Sequence, residues 1–165
     1  MYVVFLTVKA DNLPSKLYKW LGPLVGVKPL HCVVHNGSQW IDYRGDCGFL
    51  FPDCVGVRDQ VRKRFAYGYK VPDSNGDPIF LEPSTSWISS LVAWLRGDRK
   101  YASNCVTKAI GAMMLRGAEW APPPEVVTPQ QLMDWMGVTG YQRLPTASSL
   151  FASIDRDAGK GDHAA

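Results

Sequence analysis

Leu30-His31-Cys32-Val33-Val34-His35-Asn36-Gly37-Ser38-Gln39-Trp40-Ile41-Asp42-Tyr43 places two apolar runs on either side of Asn36-Gly37-Ser38. Asn-Gly between such runs is a strong short-range hairpin signal, so the stretch predicts two antiparallel strands over 30–35 and 39–43. With Asn36 and Gly37 as the turn residues, His35 pairs with Ser38 and His31 falls opposite Asp42. A slip of one residue in that register turns Asp42 to the other face. His31 and His35 are four apart and share a face, whereas Cys32 takes the opposite one. A lone hairpin is marginal in water, so the rest of the chain must supply more sheet and a covering layer.

The flanking sequence offers both. Tyr2–Val8 is a β-branched and aromatic run that predicts a buried strand. Residues 14–21 carry Leu17, Trp20 and Leu21 at helical spacing, with Pro14 suited to a first turn. Gly48–Phe51 predicts a third strand of the meander. Over 57–71 the two periodicities compete: Val57, Val61 and Phe65 fit a helix, while Phe65, Tyr67 and Tyr69 alternate as in a strand, favoured at the end of the segment. Residues 73–78 read as a turn and 79–81 as a short strand.

From residue 84 the pattern becomes helical. Ser84 or Ser86 caps a helix with Trp87, Ile88, Leu91, Trp94 and Leu95 on one face, ended by Gly97. Ser103 or Asn104 precedes a helix with Val106, Ile110, Met113 and Met114. Thr128-Pro129 opens another, with Leu132, Trp135 and Met136 inward and Gly137 as its stop. The expectation is one α+β domain over 1–147, an antiparallel sheet packed against a helical layer, followed by a flexible tail over 148–165 where periodicity fades.

Composition sets bounds on function. The 165 residues are 46% hydrophobic with a net charge of +3, enough to build one core and too nearly neutral to mark a nucleic-acid binder. Basic residues gather at Arg58, Arg62, Lys63 and Arg64 and at Arg96, Arg99 and Lys100, both read as solvated faces. The longest apolar runs fall far short of the ~20 residues of a membrane span. No basic residue precedes the apolar run at Tyr2–Leu6 and no small-residue cleavage site follows it, which speaks against a signal peptide and for a cytoplasmic location. Cys32, Cys47, Cys54 and Cys105 are then read as free thiols.

Cys105 stands at the first turn of its helix, where unpaired backbone N–H groups and the helix dipole favour a thiolate. A thiolate nucleophile needs a base. The histidines are His31, His35 and His163; His163 falls in the tail, His35 beside the turn reads as solvated, and His31 at the strand entrance is the candidate. Asp42 is the candidate to orient the ring, with Asp46, Asp53 and Tyr43 as alternatives. No cofactor is implied. A zinc site from His31, Cys32, His35, Cys47 and Cys54 is a weaker reading, because adjacent His31 and Cys32 point apart and no Cys-x-x-Cys pair occurs.

These residues carry a resemblance. Leu30 to Gly37 followed by Trp40-Ile41-Asp42 resembles the histidine strand and hairpin of circularly permuted NlpC-type papain-like enzymes, although Leu30 stands where many relatives have Ser or Asp. Asn104-Cys105-Val106-Thr107-Lys108-Ala109-Ile110 resembles their nucleophile helix, and Val127 to Met136 is similar to the Thr-Pro helix that follows in small phage and bacterial members. Histidine before cysteine is the permuted order, shared with lecithin:retinol acyltransferase-like proteins, whose Asn-Cys pair is similar to Asn104-Cys105. The resemblance spans roughly residues 1–137. It implies a cysteine-dependent hydrolase or acyltransferase acting on an amide or ester, with a peptide, peptidoglycan or ester substrate and Cys105, His31 and Asp42 at its centre. The alternative is an inactive papain-like domain serving as a phage, virion or protein-binding module, with Trp40, Trp94 and Trp120 available to a contact surface. Nucleic-acid binding through 58–64 with Phe65, Tyr67 and Tyr69 is a further, weaker alternative.

Overall fold

A computed structural model describes residues 1–9, 13–25, 28–44, 47–72, 105–115, 122, 126 and 128–161. The expected turn at 73–78, strand at 79–81 and helix at 84–97 lie outside these residues, as do Asp46, Trp94, Trp120, Asn104, His163 and the second basic cluster.

Six strands form one antiparallel sheet in the order β4-β3-β2-β1-β5-β6. They are β1 (Tyr2–Thr7), β2 (Leu30–His35), β3 (Gln39–Arg44), β4 (Cys47–Pro52), β5 (Phe65–Lys70) and β6 (Gln142–Leu144). The helices are α1 (Leu13–Leu21), α2 (Val55–Arg64), α3 (Cys105–Leu115), α4 (Pro129–Val138) and α5 (Ala147–Gly161), and a 3-10 turn at Gly22–Val25 follows α1. The α+β class and the antiparallel sheet match expectation.

The helices cover both faces of the sheet instead of one. β1 explains why: Tyr2 to Leu6 are all buried, so neither side of this inner strand meets water. Val3 and Phe5 pack with Cys32, Val34, Val106, Ile110, Met113, Leu132 and Met136, the layer of α3 and α4. Tyr2, Val4 and Leu6 pack with Val33, Trp40, Val61, Leu150, Phe151 and Ile154, the layer of α2 and α5. Met114, expected among the inward residues of its helix, is exposed.

α5 corrects the flexible tail expected over 148–165 as far as Gly161, where the described residues end. Thr146 starts it, exchanging hydrogen bonds with Ser149 in both directions at 3.1 Å. Leu150, Phe151 and Ile154 then bury completely against the sheet. Its polar face is tied down as well: the Tyr2 hydroxyl donates to Asp157 at 2.7 Å, Lys70 pairs with Asp157 at 2.7 Å and Arg58 with Asp155 at 2.7 Å. The apolar residues are few and lie among Ala, Ser and Gly, which is why the periodicity is faint in the sequence.

The hairpin departs from the expected register in an informative way. Asn36 Oδ1 accepts from the backbone N–H of Ser38 at 3.0 Å and of Gln39 at 2.8 Å, an Asx turn that moves the bend to Gly37-Ser38. Gly37 takes a φ of +110°, open to glycine and strained for other residues. His35 therefore pairs with Trp40, and Asp42 with Val33 instead of His31. The offset from the expected pairing is two residues, and because side chains alternate with a period of two, Asp42 keeps its face. It becomes a diagonal neighbour of His31.

Candidate active site

The strands β2 and β3 stay paired only as far as Val33 and Asp42, while β2 continues along β1 through His31 and Leu30. His31 and Cys32 thus stand where β3 has parted from β2. The first residue of α3, Cys105, comes to this place: α3 packs on β2 and β3, and the half-buried Cys105 joins the core that includes Cys32 and Val106. Cys105 lies close enough to the His31 ring and to the Cys32 backbone N–H for both to act on its sulfur. On the far side of the ring, His31 Nε2 lies 2.5 Å from Asp42 Oδ1. The structure brings Cys105, His31 and Asp42 into one string. Side-chain exposures of 20% for His31 and 10% for Asp42 leave a narrow opening at the ring.

The electrostatics of the string are those of an ion pair. Burial pulls the His31 pKa down, but the charge on Cys105 and the hydrogen bond to Asp42 outweigh it and hold the ring up to about 10. Burial pushes the Cys105 thiol up, and the imidazolium charge, its hydrogen bond and the Cys32 N–H reverse that, leaving the thiol below its ordinary value. The first turn of an eleven-residue helix adds its dipole in the same sense. Cys32, fully buried nearby, is pushed in the opposite direction, by burial first and then by the charges of Cys105 and Asp42. Of these two neighbouring sulfurs, only Cys105 has its pKa held below the ordinary thiol value.

His35 was expected to be solvated, and it is completely buried between Tyr2 and Trp40, with ring centroids at 5.9 and 4.7 Å. Its Nδ1 accepts from the Gly37 N–H at 3.2 Å, which leaves the proton on Nε2, a buried atom without a hydrogen-bond partner, 3.6 Å from Asp53 Oδ2. Asp53, an alternative for the third site residue, belongs to this second cluster: it accepts from Trp40 Nε1 at 3.0 Å and from Arg58 at 2.9 and 2.6 Å. Burial holds the His35 pKa down to about 4. The unfolded chain, with its histidine near 6.5, binds the extra proton first, so this group stabilises the fold above pH 6.5 and the contribution is lost as pH falls toward 4. The expected loss is on the order of 3 kcal/mol. Denaturant unfolding at intervals between those limits measures it; His35→Gln should flatten the slope, and an unchanged slope in that variant would remove His35 as its source.

The three arginines of the first basic cluster are engaged within the fold. Arg58 bridges Asp53 and Asp155, Arg62 pairs with Asp59, Arg64 donates to the Thr7 carbonyl, and the Arg58 and Arg62 guanidinium groups lie over the Phe151 ring. Tyr69 is buried and Tyr67 lies under Arg143, so these rings do not form an open stacking platform. Among the described residues, no group of three or more His, Cys, Asp or Glu is arranged to hold a metal ion, and no helix is long and apolar enough to cross a membrane. An open cavity lined by Tyr67, Tyr69, Met133, Gly137 and Arg143 lies apart from the Cys105 string.

The approach of the Cys32 backbone N–H to the Cys105 sulfur had no signal in the sequence, since it depends on where β3 stops pairing. The tie between Trp40, Asp53 and Arg58 was equally hidden. No family model matches the chain, and neither a curated protein nor a solved structure matches it.

Proposed function

We propose that this chain is a cysteine-dependent hydrolase or acyltransferase acting on an amide or ester bond, on a circularly permuted papain-like layout. The observation that supports the reading is the string from Cys105 through His31 to Asp42, with the sulfur at a helix N-terminus. Cys105 attacks the carbonyl carbon as a thiolate, a carbon–sulfur bond forms, and the carbonyl electron pair moves onto oxygen. With Nε2 committed to Asp42, Nδ1 is the nitrogen that serves the sulfur. The Cys105 backbone N–H stabilises the oxyanion. Collapse expels the amine or alcohol, which takes its proton from His31, and leaves a thioester on Cys105. Water or an acceptor hydroxyl or amine then attacks the thioester, His31 removes its proton, and the acyl product leaves as the thiolate re-forms. Asp42 holds the ring in one orientation and favours its charged form.

Turnover of a panel of model esters and amides tests this reading. Cys105→Ala should abolish it, and a variant that retains wild-type turnover would refute the assignment. Activity should be bell-shaped in pH, rising as Cys105 ionises below the ordinary thiol range and falling as His31 loses its proton near 10. Asp42→Asn removes the charge that helps keep His31 protonated, so its alkaline limb should move to lower pH, while the acidic limb should not rise, because the Asp42 charge itself pushes the Cys105 thiol up.

A further inference from the structure

The proposed chemistry uses one sulfur, and a second thiol beside it has no task there. Cys32 belongs to β2, and its side chain takes the face that α3 covers, in one core cluster with Val34, Val106 and Ala109. Cys105, the first residue of α3, packs against that same cluster. The N–H and the side chain of Cys32 spring from one Cα, so a Cys105 sulfur close to that N–H is within a side chain's length of the Cys32 thiol. The two sulfurs also act on each other: after burial, the charge on Cys105 is what pushes the Cys32 thiol up. They differ in access. Cys105 is half-buried beside the opening at the His31 ring, whereas Cys32 is fully buried. A buried free cysteine is ordinarily an inert apolar residue, and what sets Cys32 apart is an accessible, activated sulfur as its neighbour.

We propose that Cys105 is a site of reversible oxidation and that Cys32 is its resolving thiol, the two closing a disulfide when the chain meets hydrogen peroxide. The inference rests on the reading of Cys105 as a nucleophilic thiolate. In the first step the Cys105 sulfur attacks one oxygen of the peroxide. The O–O bond breaks, an S–O bond forms, and the departing hydroxide takes the proton of the His31 imidazolium and leaves as water. Sulfur loses two electrons and the peroxide gains them. Cys105 is then a neutral sulfenic acid, so the negative charge that opposed ionisation of Cys32 is gone. Cys32 attacks the Cys105 sulfur, an S–S bond forms as the S–O bond breaks, and the thiol proton leaves with the hydroxide as a second water. The disulfide withdraws the nucleophile, guards it from the irreversible sulfinic acid, and is reopened by a dithiol.

Peptide mapping by mass tests it, on the full chain reduced, treated with hydrogen peroxide at neutral pH, capped at its free thiols and digested without reductant. Wild type should yield a Cys32–Cys105 linked peptide, and dithiothreitol should return Cys105 to a thiol with little loss. Cys32→Ala cannot close the link, so its Cys105 should run on to sulfinic acid, and the fraction that dithiothreitol recovers should fall by about tenfold or more. Urea unfolding checks that this variant keeps its core; if it does not fold, the linked peptide of the wild type decides alone. Wild-type Cys105 that stays reduced, that runs to sulfinic acid as fully as in Cys32→Ala, or that links to Cys47 or Cys54 instead would overturn the proposal. The map is read separately from turnover. A link in a chain that cleaves none of the model esters or amides would refute the hydrolase and keep the oxidation site, and turnover without the link would do the reverse.

Discussion

Replacing His31 with Ala should slow alkylation of Cys105 by iodoacetamide at about pH 6 by on the order of a hundredfold. At that pH an ordinary thiol, with a pKa near 8.5, is well under about 1% thiolate, and each unit by which an adjacent imidazolium lowers that value raises the thiolate fraction about tenfold. In this chain the imidazolium charge leads the opposition to burial, so without it burial governs and the sulfur returns to the neutral thiol. Cys54, exposed and outside the site, gives an internal comparison within each sample when labelled peptides are mapped by mass. Its labelling should not respond to His31→Ala. Equal labelling of Cys105 in both proteins would show that the ring does not activate the sulfur.

The second large effect concerns α5. Leu150→Ala should lower unfolding stability by about 2–5 kcal/mol, because it removes a fully buried side chain and leaves a cavity among Val4, Leu6 and Trp40. Set against a typical domain stability of about 5–15 kcal/mol, one such loss is severe. Deleting residues 147–165 also uncovers Phe151 and Ile154 and breaks the ties from Tyr2, Lys70 and Arg58, so the truncated chain should not reach a cooperative fold. Urea unfolding followed by circular dichroism measures both. A truncated protein that unfolds cooperatively at the wild-type midpoint would show that the sheet does not need this layer.

The parts of the fold legible in the sequence are those whose signals are local and redundant. Asn36-Gly37 between apolar runs locates the hairpin, and Thr128-Pro129 locates a helix start that the structure closes with a capping box to Gln131. Asn36 also shows the limit: its side chain captures two backbone N–H groups and displaces the turn by one residue, a competition that the sequence does not rank. The segment over 55–70 carries both periods because it is both, helix through Arg64 and strand from Phe65. For His35, proximity to a turn suggests solvent, whereas the second helical layer, including an α5 that the sequence barely marks, turns that side of the sheet into a core. His31, Asp42 and Cys105 could be named from residue type and position. Their convergence depends on β3 parting from β2 after Val33 and on α3 filling that place, both long-range events.

In the proposed function, Cys105 and His31 form a thiolate–imidazolium pair in the folded protein at neutral pH. Thiolate ultraviolet absorbance, taken as the difference between wild type and Cys105→Ser across a pH titration, measures it directly. The difference signal should already be present well below pH 8.5, the range in which an ordinary thiol is protonated. A difference signal that emerges only in the ordinary thiol range would contradict the pair, and with it the nucleophile assigned to this site.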